Sequence, residues 1–227
     1  MLKFTVPMDV PPYRLSGTVY GTLLNHHSAL AALGDAASQS PYLAAPRAPV
    51  LCLKPRNTLA ASGAPVAVPP GVAELEINAS LGLVIGRAAC RVAAWEALSY
   101  LAGYLIVNDV SVPHASYYRP AVSCRARDGF CPLGPRVVPR AAIADPDALN
   151  IRVYVAGELR QQASTAQLLR PVAQLLADVT DFMTLSPGDV LAVGAAAPAP
   201  RVRAGQEARI EIDALGRLAS AFVAGAA

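Results

Sequence analysis

Groups that usually make a functional site easy to read are scarce in this sequence. Of 227 residues, 15% are charged and 6% aromatic, and histidine occurs three times, at positions 26, 27 and 114. Although 54% of residues are hydrophobic, no run of about 18 apolar residues free of charge exists. The longest charge-free stretch near the start, 15–33, is broken by Ser16, Gly17, Asn25, His26, His27 and Ser28, which excludes it as a membrane span. Residues 1–12 lack the compact apolar run and small-residue cleavage site of a secretory signal, so a cytoplasmic protein without a membrane partner is expected. The net charge of +3, from 19 basic and 16 acidic residues, is scattered, and no basic block is interleaved with aromatics. Nucleic acid is therefore not an expected partner. Cys52, Cys90, Cys124 and Cys131 show no CxxC spacing, which removes zinc modules and thioredoxin-like redox chemistry and leaves buried free thiols in a reducing compartment. GxSxG, GxxxxGK[ST] and GxGxxG are absent as well, so serine-hydrolase, P-loop and dinucleotide readings have no support.

Twenty prolines and 16 glycines punctuate what is present. Residues 1–16 are Pro-rich and read as an extended arm before a single domain over 17–227. Strands are expected at the start of that domain and at 51–54, 74–86, 104–110, 190–193, 209–213 and 218–223. The alternation of Ile151, Val153 and Val155, followed by Ala156-Gly157, predicts a hairpin over 149–161. Leu168, Leu169, Val172, Leu175, Leu176 and Val179 recur at helical intervals, so 165–182 reads as one amphipathic helix. Shorter helices are expected at 28–37 and 93–100, and no period marks 111–135. Many short strands, few helices and no βαβ rhythm point to an α+β fold, a roll or sandwich. Glu74 and Glu76 stand two apart on a predicted strand and would share a face; a third oxygen ligand would let them hold a divalent cation, and a solvated strand entrance is the equal alternative. His26 and His27 read as loop histidines.

Several segments, taken in order, resemble the fumarylacetoacetate hydrolase superfamily: LLNHHSAL, LKPRNT, LGLVIGRAACRV, AGYLIVNDVSVP, SYYRP, RARDGFCPLGP, VYVAGELRQQASTAQLL and FMTLSPGDVLAVG. The resemblance implies a mixed β-sandwich roll, dimeric assembly and 2-oxo diacid ligands. It is strongest with members that isomerise and decarboxylate such acids in 4-hydroxyphenylacetate catabolism. The implied activity is that of a subunit of a 2-hydroxyhepta-2,4-diene-1,7-dioate isomerase / 5-oxopent-3-ene-1,2,5-tricarboxylate decarboxylase. The alternative is a catalytically inactive scaffold or ligand-binding paralogue.

Members of the family hold Mg²⁺ or Mn²⁺ through two Glu and an Asp. Counting back from Gly86 places those positions at Asn78, Ser80 and Asp109, of which only Asp109 is a carboxylate. Glu74 and Glu76 lie four residues out of phase, roughly 13 Å along an extended strand. The resemblance puts a His and Glu dyad at Ala29 and Ala32, a lysine at Arg125 and a Gly-Thr-Pro turn at Gly194-Ala195-Ala196. No metal is therefore expected in this chain, and Mg²⁺ or Mn²⁺ is expected in a partner. The metal-bearing partner would be a paralogous subunit in a heterodimer; a homodimer of this chain is the alternative assembly. Anion binding remains, through Lys54, Arg56, Tyr117, Tyr118, Arg119, Arg125 and Arg127, which the family fold would bring to one cleft. Arg119 and Arg127 are candidates for a bidentate grip on a carboxylate, with Arg119 and Asp128 equally readable as interface ion pairs. Arg125 keeps the positive charge but cannot serve as a base. His114 is the candidate for proton transfer in a metal-free isomerisation.

Overall fold

The computed structural model describes residues 17–118 and 121–226, so the arm expected at 1–16 and Arg119 lie outside the described residues. The sequence alternates short apolar runs with turn residues, and the runs assemble into two main sheets. Seven strands form the first: β1 (Val19–Leu23), β2 (Val50–Lys54), β3 (Leu59–Ala61), β6 (Ala79–Ile85), β7 (Leu101–Asn108), β8 (Cys131–Pro139) and β11 (Val190–Ala192), in the order β2-β1-β11-β6-β7-β8-β3. β1 runs parallel to β11 and β3 parallel to β8, while the other neighbours are antiparallel. All seven residues of β6 are buried, which is why this stretch reads as a continuous apolar run: a central strand is covered on both faces. Leu81, Leu83 and Ile85 enter the main core, and Val84 enters a smaller one with Leu105, Val107 and Val190.

β4 (Val66–Val68), β9 (Asn150–Val155), β10 (Glu158–Ser164), β13 (Glu207–Ile212) and β14 (Gly216–Ala224) make the second sheet, in the order β10-β9-β13-β14-β4. The predicted hairpin is β9–β10. Ala156 and Gly157 both take positive φ, 51° and 83°, as a tight turn matched to strand twist demands. Ile151, Val153, Ile210 and Phe222 from this sheet share the main core with Leu81 and Tyr104. Helix α3 (Val172–Phe182) adds Leu175, Leu176 and Val179 to it. Among the described residues the other α-helices, α1 (His27–Ala31) and α2 (Val122–Arg125), are about one turn each, beside short 3₁₀ helices such as Ala94–Tyr100, and the fold is α+β. Among the described residues no helix is long and apolar enough to cross a membrane.

Three expectations change. The strand expected over 74–86 is divided: β5 (Leu75–Glu76) pairs with β12 (Arg201–Val202) in a separate ribbon, and β6 begins only at Ala79. Between them the backbone changes partners, since Ile77 N donates to Pro200 O and Asp109 N donates to Asn78 O. The helix expected over 165–182 starts at Val172, after a 3₁₀ turn at Thr165–Gln167. Pro171 enforces this, because the residue before a proline is pushed away from helical geometry. Arg170 instead donates its N–H to Asn25 Oδ1 and accepts at its carbonyl from Asn25 Nδ2. Finally, the cysteines are all free, but Cys131 alone is buried, Cys52 and Cys124 are intermediate and Cys90 is exposed.

Candidate active site

The C-terminal ends of β1, β7 and β11 and the β5–β12 ribbon surround a cleft of about 230 Å³. At its base stands Asp109, just past β7 and 7% exposed. Lys54, the last residue of β2 and 1% exposed, donates to Asp109 Oδ1 at 2.7 Å, to Arg125 O at 2.8 Å and to Val110 O at 3.3 Å. Those three bonds use the whole donor capacity of its ammonium. Arg125, from α2, donates through Nη1 to Asp109 Oδ2 at 2.6 Å and through Nε to His114 Nε2 at 3.3 Å. Because His114 Nε2 accepts, the ring carries its proton on Nδ1, which donates to Val112 O at 2.9 Å.

Both oxygens of Asp109 thus face cations. Burial pushes its carboxyl upward, but the charges of Lys54 and then Arg125 outweigh this and hold it below the usual aspartate range. Arg125 is shifted reciprocally: burial disfavours its charge, and Asp109 more than restores it. Two cations against one anion leave one net positive charge at the base of the cleft. Burial, with Asp109 next, pushes the neighbouring Cys52 thiol up to about 11, so it is no nucleophile at neutral pH. Burial also raises the Tyr117 phenol, which keeps it a neutral donor.

Asn78 spends its amide donors on Asp109 O at 2.8 Å and Ser111 Oγ at 3.2 Å. Ser80 Oγ donates to Leu81 O and accepts from Gly194 N at 3.0 Å. Gly194 has φ +112°, and a Cβ there would sit 3.2 Å from Asn25 Cβ, so glycine is required where the wall turns. Gly21 allows the same closeness on the other side, since a Cβ there would lie 2.7 Å from Cys52 Sγ and 3.4 Å from Asp109 Oδ2. Among the described residues, no group of three or more His, Cys, Asp or Glu side chains is arranged to hold a metal ion.

The structure brings Asn78, Ser80, Asp109, His114, Tyr117 and Arg125 to one cavity wall. Lys54 lies beneath it, acting on the cleft through Asp109. Tyr118 lines a neighbouring apolar groove of about 630 Å³, which shares His114, Tyr117 and Arg125 with the cleft. Arg127 is exposed and donates to Ser123 O, and Arg56 is exposed on a 3₁₀ turn; neither is among the cleft-lining residues. Asp128 accepts from Asn57 at 2.7 Å. His26 caps α1 by accepting from Ser28 N, and Ala29 lines the cleft while Ala32 is exposed.

Two residues enter that sequence reasoning had placed elsewhere or passed over. Glu76 lines the cleft beside Asn78 instead of lying remote from it, because the chain bends between β5 and β6. Arg201 lines it too, registered opposite Glu76 across the ribbon. A signal for this pairing exists in the complementary spacing of Glu74 and Glu76 with Arg201 and Arg203.

The fumarylacetoacetate (FAA) hydrolase C-terminal family model matches residues 18–223. The chain belongs to this family. A 4-hydroxyphenylacetate degradation bifunctional isomerase/decarboxylase from Escherichia coli is 39% identical over 196 residues, which is 86% of this chain and 44% of that protein. The chain spans about half the length of the curated relatives it matches first. Among solved structures of the family, a 2-hydroxyhepta-2,4-diene-1,7-dioate isomerase from Mycobacterium marinum superposes with a TM-score of 0.77 at 26% identity, covering 94% of this chain and 77% of that one. Maleylpyruvate hydrolase from Sphingobium sp. SYK-6, in complex with manganese(II) and pyruvate, gives a TM-score of 0.76 at 28% identity, covering 92% and 71%.

Proposed function

We propose that this family member is a subunit of a 2-hydroxyhepta-2,4-diene-1,7-dioate isomerase / 5-oxopent-3-ene-1,2,5-tricarboxylate decarboxylase whose own cleft binds a 2-oxo diacid without the family's cation. The observation that carries this reading is the Lys54–Asp109–Arg125 cluster. A hard divalent cation wants several anionic oxygens. Here one carboxylate is present at the family's three positions, and each of its oxygens already faces a cation at 2.6 or 2.7 Å. Asn78 turns its amide donors to neighbouring acceptors. The residues do not fit Mg²⁺ or Mn²⁺.

The same cluster supplies a fixed positive charge where enolate charge would develop. Enol-to-keto isomerisation of a dienol acid moves a proton from the enol oxygen to carbon through such an enolate. Arg125 lines the cleft and is locked by Asp109 and His114, so its guanidinium is preorganised and does not have to turn toward the charge as it forms. Tyr117 adds a neutral phenol to the same wall. Decarboxylation is assigned to a metal-binding paralogous subunit acting beside it.

The test is an isomerisation assay on the purified chain with and without EDTA, alongside calorimetric titration with Mn²⁺. Turnover that survives EDTA and falls at least tenfold in Arg125→Met is expected. Turnover that vanishes with EDTA and returns with Mn²⁺ rejects the proposal. A second reading, a ligand-binding scaffold for the paralogue, is favoured by Ala29 and Ala32 standing at the family's acid–base dyad. It predicts no turnover alone and a higher rate of the partner on mixing.

A further inference from the structure

We infer that Arg201 selects diacids: its guanidinium receives the second carboxylate of a ligand whose oxo-acid end meets Arg125. This rests on the oxo-acid reading of the cleft and adds to it the residue that reads the far end of the ligand.

Position comes first. Arg201 sits opposite Glu76 on the ribbon, and Glu76 is itself bridged to Ser111 on the chain leaving β7. The ribbon therefore hangs from the same segment that carries Asp109 and His114, and Arg201 lines the same cavity as Arg125. Residues 194–199, which line the same cavity, are Gly, Ala and Pro. Those side chains offer no donor. Among the described residues lining the cleft, Arg125 and Arg201 are the arginines and no lysine joins them.

Arg201 is also steered without being consumed. Its Nη1 lies 3.6 Å from Glu74 and its Nη2 3.6 Å from Glu76, well beyond the roughly 2.7–2.9 Å of a charge-assisted hydrogen bond. Arg203 Nε and Nη2 both contact Oε1 of Glu74, at 2.8 and 2.7 Å, and hold that carboxylate with its Oε2 toward Arg201 at 3.6 Å. Glu76 accepts from Ser111 Oγ at 3.3 Å. The two glutamates thus hold the Arg201 fork at the rim by charge, leaving its N–H groups to grip a carboxylate bidentately. By contrast Arg125 spends Nε and Nη1 on His114 and Asp109. A cavity of about 230 Å³ is below the roughly 300–1,000 Å³ of drug-sized sites, which suits a small acid and leaves the far carboxylate little else to meet.

Calorimetric binding of 2-oxoheptanedioate and 2-oxoheptanoate, equal in chain length and differing only in the second carboxylate, tests this. Wild type is expected to favour the diacid. Arg201→Ala should weaken the diacid about tenfold or more, as loss of a charged hydrogen-bond pair would, and leave the monoacid unchanged. Arg201→Lys should restore part of the loss, since it keeps charge but not the fork. Glu76→Gln should move the diacid the other way, tightening it a few-fold by removing the competing anion. Equal weakening of both acids in Arg201→Ala, or no weakening of either, overturns the assignment, as does a wild type that binds both equally. A wild type that binds neither acid removes the oxo-acid reading itself and this assignment with it. The Arg201 side chain is 54% exposed, and a thermal melt of each variant checks that the fold is retained.

Discussion

Two arginine–carboxylate clusters face the same cleft, and they differ in almost every physical respect. At the base, Asp109 meets Lys54 and Arg125 at 2.7 and 2.6 Å with all three side chains under 10% exposed. At the rim, Arg201 stands 3.6 Å from Glu74 and Glu76, and more than half of its side chain is in solvent. Coulomb energy at fixed separation rises as water is excluded, so the inner cluster is a rigid structural unit and the outer one an exchangeable contact. A ligand can compete for Arg201 but not for Asp109.

Breaking the inner cluster should have the largest effect. Asp109→Asn leaves Lys54 and Arg125 buried without their anion, and removing one partner of a buried pair typically costs about 3–5 kcal/mol. Urea denaturation should show that loss; a change within error would mean the cluster is solvated. The acid limb of stability sharpens the same point. The Asp109 carboxyl is held below its ordinary value of 3.8, burial notwithstanding, by Lys54 and Arg125. Its contribution is therefore fully present above 3.8 and is lost as pH falls through the lower folded value. Unfolding free energy followed from pH 6 to pH 2 should drop more steeply in wild type than in Asp109→Asn. The smallest effect belongs to the rim: Arg201→Ala should leave the melting temperature unchanged within error, because exposed pairs at this spacing contribute little. A clear drop in that variant would erase the distinction between the two clusters.

Much of the framework was legible from local pattern. Alternation at Ile151, Val153 and Val155 produced β9, and the apolar run at 79–85 produced a strand buried on both faces. Proline at 171 is visible in the sequence, yet the helical spacing on both sides of it hid the break it causes. The 131–139 strand was missed because Pro132, Gly134 and Pro135 mask its period. For the site, motif positions led to Asp109, His114 and Arg125, which share one wall. A single straight strand over 74–86 would put Glu76 out of reach of the site, and nothing in the Pro-Ala connector before Arg201 points to that residue. Both have one cause, the β5–β12 ribbon, which is two residues long and carries no period to read.

By itself, the sequence determined the chemical inventory: an amide at 78, a hydroxyl at 80, and small residues at 29, 32 and 194–196. It also determined the elements whose signal is local, because side-chain direction along a helix or strand follows from backbone geometry alone. Only the tertiary structure decided what each charge does. Lys54, Asp109 and Arg125 come from three separate segments, and Arg201 meets Glu76 across a long stretch of chain. Whether such groups bind each other or a ligand depends on separation and on exclusion of water, and both are set by long-range packing.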